Sequence, residues 1–174
     1  MPKGFFIVVA MDQQQGIGQN NQLPWHLPED LKHFREITTA QSTSNLPNAV
    51  VMGRKTWESL PPERRPLKGR VNMVITRQGN FPLPEGVQAA HSLDEAITTM
   101  LGQPITQIFV IGGASIYEHA IHHPLCEGIY LTRIETVFVC DTFFPKIPTR
   151  FKRMDQSEVK QQGDICYRFE RYIS

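Results

Sequence analysis

Three apolar runs, residues 5–11, 49–52 and 108–111, and a further strand-like segment at 71–76 recur along the chain without the regular polar-apolar alternation of a strand that has one wet face. Strands buried on both faces read this way, and they belong to sheets whose neighbours are parallel and whose two faces carry helices. Helical signals fall between the runs. Pro28 suits a first helical position, and Leu27, Leu31 and Phe34 follow at spacings of four and three, which predicts a helix to about residue 37. Residues 54–60 suit a short helix stopped by Pro61-Pro62, and Ser92 with Glu95 forms a capping box for a helix through residue 100 that Gly102 ends. A further helix is expected at 115–122, after Gly112-Gly113, and strands at 129–134 and 165–172, the last entered through a hairpin turn at 161–164. The expected fold class is α/β: one domain over residues 1–174, three-layered, with a central mostly parallel sheet and an antiparallel C-terminal edge hairpin.

Ligands in such sheets bind at the carboxyl ends of strands, so the loops after Met11, Met52, Thr76 and Ile111 are the places to look for chemistry. The residues from 12 to 27 carry Gly16, Gly18, Asn20, Asn21 and Pro24, more turn chemistry than a short connector needs. The formal net charge of +1 gives no general attraction to nucleic acid or an anionic membrane, which favours a small-molecule partner. Arg64 to Arg70 is locally basic, yet with so little net charge an anionic substrate tail suits it better. Three scattered cysteines without a Cys-x-x-Cys pair suit a reducing cytoplasm, and the start Met1-Pro2-Lys3-Gly4 carries neither an export nor a membrane-insertion pattern.

Asp30 is the carboxylate of most interest. It falls in the first helical turn at the border of the apolar stripe, and there it either complements the helix dipole or sits partly desolvated in a pocket with Leu23, Trp25, Leu27, Leu31 and Phe34. A pocket carboxylate of this kind suits a flat ring presenting two adjacent N–H donors, such as a pterin or pyrimidine edge, with Phe34 stacking on it. Trp25 is either core or a site residue whose indole N–H holds an ordered water near Asp30. Gly53-Arg54-Lys55-Thr56 and Gly112-Gly113-Ala114-Ser115 each join a strand end to a helix start, as a diphosphate requires, although neither is a complete nucleotide fingerprint and the first also reads as a solvated basic turn. Thr76-Arg77 is an ordinary polar turn or a ribose-phosphate contact. His26, His119, His122 and His123 lack metal-ligand company, so no metal is expected.

Taken together, Gly16-Ile17-Gly18, Leu23-Pro24-Trp25, Asp30 with Phe34, Val51-Met52-Gly53-Arg54-Lys55-Thr56-Trp57-Glu58-Ser59 and Val110-Ile111-Gly112-Gly113 closely resemble dihydrofolate reductase. The match continues through Pro66-Leu67-Lys68-Gly69-Arg70, Tyr130-Leu131-Thr132, Asp141-Thr142-Phe143-Phe144-Pro145 and Tyr167-Arg168-Phe169-Glu170. The resemblance implies an eight-stranded central sheet and NADPH-dependent reduction of 7,8-dihydrofolate to tetrahydrofolate, open to antifolate inhibition, by a monomer. It implies that Asp30, hydrogen-bonded to Thr132, holds the pterin edge while Leu23 and Trp25 belong to a loop closing over the nicotinamide. Val8, Val9, Leu31, Phe34, Ser59, Leu60 and Ile111 would wall the pocket, Leu67 the benzoyl region, and Arg70 would take the α-carboxylate of the glutamate tail. Ala10, Ile17, Gly18, Gly53, Arg54, Lys55, Thr56, Thr76, Arg77, Gly112, Gly113, Ala114, Ser115, Ile116 and Tyr117 match cofactor-contacting positions, and the Gly112-Gly113 peptide is expected to be cis. The loop at 61–65 is longer than in the shortest bacterial members, and residues 12–16 depart from the commoner loop composition. A related reductase of pyrimidine or flavin precursors would keep the glycine turns without the Leu-Pro-Trp and Asp30 pocket. A non-catalytic nucleotide-binding protein would have lost Asp30, Thr132 or the glycine pair. This chain retains all of them.

Overall fold

The computed structural model describes residues 2–40 and 45–174, so Met1 of the start segment lies outside the described residues while every candidate site residue lies within them. In chain order the elements are β1 (Phe5–Met11), β2 (Gly16–Gly18), α1 (Pro28–Thr39), β3 (Asn48–Gly53), α2 (Arg54–Ser59), β4 (Arg70–Ile75), β5 (Gln88–Ala90) and α3 (Leu93–Leu101). They continue with β6 (Ile108–Val110), α4 (Ala114–Ile121), β7 (Cys126–Ile134), β8 (Thr142–Phe143), β9 (Lys152–Gln156), β10 (Lys160–Gln162) and β11 (Ile165–Ile173).

The main sheet runs β10-β11-β7-β1-β6-β3-β4-β5, parallel from β7 to β5 and antiparallel where β11 joins β7. This is the α/β sheet that the apolar runs require. All six residues of β3 and all three of β6 are buried, as befits strands covered on both faces. One face packs against α3 and α4 through Ile97, Met100, Ile116, Tyr117 and Ile121. The other packs Val8, Val50, Met52 and Val74 against Phe34 and Ile37 of α1 and Trp57 of α2. Alternation along β1 sends Ile7 and Val9 to the first face and Val8 to the second.

The closing hairpin turns at Gly163, whose φ of +61° is one that L side chains rarely adopt. Its outer strand is broken: β10 pairs with the start of β11 and β9 with its end, so nine strands fill eight positions. At the break Ser157 donates its backbone N–H to the Phe169 carbonyl at 2.7 Å and its Oγ accepts from Phe169 N at 2.9 Å. All five residues of β9 are exposed, which is why no apolar run announced it. At α3 the Ser92 Oγ accepts from Glu95 N at 3.1 Å, but the Glu95 carboxylate reaches back to His91 N, one residue earlier than a capping box requires. Leu60 leaves α2 in an extended conformation, as a residue before proline must, so that helix ends at Ser59. β7 starts three residues before the expected strand, where Glu127 and Gly128 interrupt the apolar pattern.

Candidate functional site

The carboxyl ends of the parallel strands β1, β3, β4 and β6 point the same way, and α1, packed on the sheet face that carries Val8, Val50 and Met52, places Asp30 against Thr132 of β7. Thr132 lies opposite Ala10 of β1 and Phe169 of β11, and its hydroxyl donates to Asp30 Oδ1 at 2.6 Å. Burial pushes the Asp30 carboxyl above its ordinary value, and the Thr132 hydrogen bond pulls part of that rise back. Asp30 is thus an acceptor held in a partly dry setting, and it takes a proton more readily than a surface carboxylate does.

Around it stand two apolar groups. Trp25 and Leu27 are buried with Ile134 and Tyr167, against Ala10, Phe138 and Phe169. Phe34, Leu60, Leu67 and Ile111 pack on the sheet face that carries Val8. Leu23 and Leu31 are 51% and 41% exposed, so two large apolar side chains stand open to solvent, one of them next to Asp30 along α1. The Trp25 indole N–H is buried without a partner, an orphan donor of the kind that an ordered water or ligand satisfies. Val9 does not fit its expected place as a pocket wall, because strand alternation turns its side chain to the α3 and α4 face. Ser59 donates its hydroxyl to the Thr56 carbonyl at 2.7 Å and closes α2.

Arg70, at the start of β4, donates through Nη1 to Thr38 Oγ1 at 2.9 Å and through Nε to the Lys68 carbonyl at 2.9 Å. Burial lowers its pKa, and the positive charge of Arg35 lowers it further. Arg35 lies one helical turn before Thr38, on the face that Arg70 reaches. Sequence reasoning missed Arg35 because it reads as a solvated cation on the outer side of α1. His33, also missed, stacks on Phe169 with ring centroids 3.6 Å apart and planes 16° off parallel, bracing α1 against β11.

The two glycine turns, separated by some sixty positions in sequence, meet at the ends of adjacent strands. Gly53 N donates to the Gly112 carbonyl at 2.8 Å, and the Gly112-Gly113 peptide is cis, as expected. Gly112 has a φ of +122°, and a Cβ on it would press on Thr56 Oγ1 and the Tyr117 hydroxyl. Neither α2 nor α4 has a side chain capping its first turn, which leaves amide groups and positive dipole ends beside the paired glycines. A diphosphate fits such a place. Lys55 and Arg77 are exposed nearby, while Arg54 is paired with Glu58 at 2.8 Å. Thr76 is buried, and its Oγ1 accepts from Gln78 N at 3.1 Å. Tyr117, matched by resemblance to a cofactor contact, buries its ring beside Gly112 and donates its hydroxyl to the Val8 carbonyl at 2.7 Å, and burial holds that phenol far above its ordinary pKa. Ile116 is likewise buried and lies under Gly53, whereas Ala114 is partly open and Ser115 is exposed.

Ile17 and Gly18 lie in β2, which pairs with β8 in a small second sheet, and Asn21 Nδ2 ties the following loop to the Lys55 carbonyl at 3.0 Å. Among the described residues no group of three or more His, Cys, Asp or Glu could hold a metal ion, and no helix is long and apolar enough to cross a membrane. His26, His119 and His122 are exposed, and His123 Nε2 lies 2.7 Å from Asp94.

The family model for dihydrofolate reductase matches residues 5–174. The chain belongs to the dihydrofolate reductase family. The dihydrofolate reductase of Heliothis virescens is 42% identical over 175 residues, covering 95% of each chain. That of Rattus norvegicus is 38% identical over 177 residues, covering 95% of this chain and 94% of its own. The bifunctional dihydrofolate reductase-thymidylate synthase of Glycine max is 43% identical over 180 residues and 99% of this chain, which spans only 34% of that longer protein. The plant bifunctional relatives are thus matched over about a third of their length. Dihydrofolate reductases take a nicotinamide cofactor, and the paired glycine turns with their uncapped helix starts give this chain a place that fits one.

Proposed function

We propose that this chain reduces 7,8-dihydrofolate to 5,6,7,8-tetrahydrofolate with NADPH. The observation that carries the proposal is the Asp30–Thr132 hydrogen bond, set beside the orphan Trp25 indole and the open apolar side chains of Leu23 and Leu31. Bound NADPH supplies the hydride for pterin C6. Gly53, Gly112, Gly113 and the first turn of α4 would hold its diphosphate, with Lys55, Thr76 and Arg77 toward the phosphate of its adenosine ribose. Ala10, Ile17 and Gly18 would border the nicotinamide.

Reduction of a C=N bond leaves charge on nitrogen unless a proton arrives, and in a dry pocket that charge is costly. Asp30 accepts the 2-amino and ring N–H donors of the pterin edge, which orients the ring, and its raised pKa keeps a proton source close to N5. The Trp25 N–H holds the water that relays that proton. Phe34 and Leu31 cover the ring, Leu67 flanks the benzoyl group, and Arg70 takes the tail carboxylate with Arg35 adding positive charge. All these side chains come from one copy of the chain, so a monomer suffices, and the free thiols Cys126, Cys140 and Cys166 suit a reducing compartment.

The test is the loss of NADPH absorbance on adding dihydrofolate, with and without methotrexate. Turnover that methotrexate abolishes is expected, and Asp30→Asn should cut it heavily near neutral pH while leaving NADPH affinity almost unchanged. Absence of dihydrofolate-dependent oxidation, or an unchanged rate in Asp30→Asn, overturns the proposal.

A further inference from the structure

Asp12 follows β1 and is 1% exposed, although nothing in the chemistry above uses it. Its two carboxylate oxygens serve different parts of the molecule. Oδ1 accepts from Gln14 N at 2.9 Å and Gly16 N at 2.8 Å, within the loop that goes on to carry Ile17, Gly18, Leu23 and Trp25. Oδ2 accepts from Phe138 N at 2.8 Å, in the segment between β7 and β8, with Cys140 Sγ 4.0 Å away. Asp12 N also donates to the Gly16 carbonyl at 3.0 Å, and Gln13 N to the Thr136 carbonyl at 3.4 Å. No Lys, Arg or His among the described residues forms an ion pair with it, so three backbone amides and the Cys140 thiol are what its oxygens accept from.

A buried carboxylate without a cation is an expensive way to close a turn, and a backbone pair or an asparagine would do for shape alone. What a carboxylate adds is the ability to accept on every side, with charge-assisted bonds about twice as strong as neutral ones. Asparagine in the same pose would turn an amide N–H toward either Phe138 N or the two loop amides. Downstream of the staple, β2 pairs with β8, Asn20 N donates to Asp141 Oδ2 at 2.9 Å, and the Trp25 ring lies edge-on to Phe138 at 5.4 Å.

We infer that Asp12 is a positioning residue for the nicotinamide side of the site: its carboxylate fastens residues 14–18 to the 136–140 segment in the arrangement that receives the cofactor. This rests on the reading that Ile17 and Gly18 border that cofactor. Two variants test it through different atoms. Asp12→Asn removes the charge. Gly16→Ala keeps it but puts a Cβ against Cys140 Sγ and 3.1 Å from Asp12 Oδ1, prising the staple open. The readouts are NADPH affinity by fluorescence titration, dihydrofolate affinity without NADPH, amide hydrogen exchange at Gly16 and Phe138, and steady-state kinetics.

Each variant is expected to weaken NADPH binding by about tenfold or more, the scale of one lost charge-assisted hydrogen bond, with faster exchange at both amides. Dihydrofolate affinity should stay within about twofold, a split that general destabilisation does not produce. NADPH affinity unchanged in a folded variant, or both affinities falling together in step with the unfolding midpoint, overturns the inference. If Asp12→Asn does not fold, Gly16→Ala decides by the same split. If the wild-type chain binds NADPH but does not reduce dihydrofolate, the proposed activity fails while binding and exchange still decide the role of Asp12.

Discussion

Replacing Thr132 by valine keeps the volume and branching of the side chain while removing the hydroxyl that donates to Asp30 Oδ1 at 2.6 Å. That bond is short and charge-assisted, and losing a hydrogen bond to an ionised partner costs about 1.5–3 kcal/mol. If the carboxylate anchors the pterin, kcat/KM near neutral pH should fall by about 10- to 100-fold. Direction in pH follows from the same contact. Burial raises the Asp30 pKa and the Thr132 hydrogen bond lowers it, so the variant's carboxyl is protonated to higher pH than the wild type's. A rate limb that falls as the proton is lost therefore moves to higher pH, and the variant's deficit narrows as pH rises. Initial rates across the mildly acid to mildly alkaline range measure this, with Thr132→Ser as the control that retains the hydroxyl. A deficit of equal size at every pH, or Thr132→Ser as impaired as Thr132→Val, rules out this role for the Thr132 hydroxyl.

Glu170 is a second case with a definite sign. Its side chain is fully buried, with Arg133 Nε 3.1 Å and Arg168 Nε 2.8 Å from Oε2 and the Tyr172 hydroxyl 2.9 Å from Oε1. Burial alone would raise its pKa, but the hydrogen bonds from Arg133, Arg168 and Tyr172 win and the net shift is downward. Its stabilising contribution is therefore full above the ordinary carboxylate pKa and is lost as pH falls through the depressed folded value. Glu170→Gln should cost about 3 kcal/mol in urea unfolding at neutral pH, with the difference shrinking in acid. Arg70→Gln should raise the KM for dihydrofolate by about tenfold or more with little change in kcat, and Arg35→Gln should do so more weakly and lose its effect in high salt. Gly112→Ala forces a side chain to φ +122° against Thr56 and Tyr117, and should weaken NADPH binding and lower the unfolding midpoint, measured by titration and calorimetry.

What could be read from the sequence follows from how much information burial leaves in it. β1, β3 and β6 announce themselves because strands covered on both faces need apolar runs, β4 because it is apolar from Val71 to Ile75 except at Asn72, and α1 because one face must stay apolar from Leu27 to Phe34. β9 was invisible, since an exposed edge strand of Lys152, Arg153, Met154, Asp155 and Gln156 needs no pattern. β2, β5 and β8 are too short to show a period. Asp30 and the glycine turns were nameable singly, but neither the meeting of Gly53 with Gly112 nor the approach of Arg35 to Arg70 leaves a local trace. Both depend on strand order, which is set by long-range pairing. Val9 shows the reverse, where a residue match promised a pocket wall and the period of two in β1 turned the side chain away.

The broken outer strand has a consequence for how the molecule behaves in company. An exposed sheet edge invites a second chain to add itself as the next strand. On one side that invitation is withdrawn by interruption at Ser157 and by the charges of β9. On the other it is withdrawn by brevity, since β5 offers only Gln88–Ala90. Growth of the sheet beyond one molecule is thus blocked at both ends by geometry, leaving the long, regular, aggregation-prone strands β1, β3 and β7 in the interior, where no neighbour can template on them.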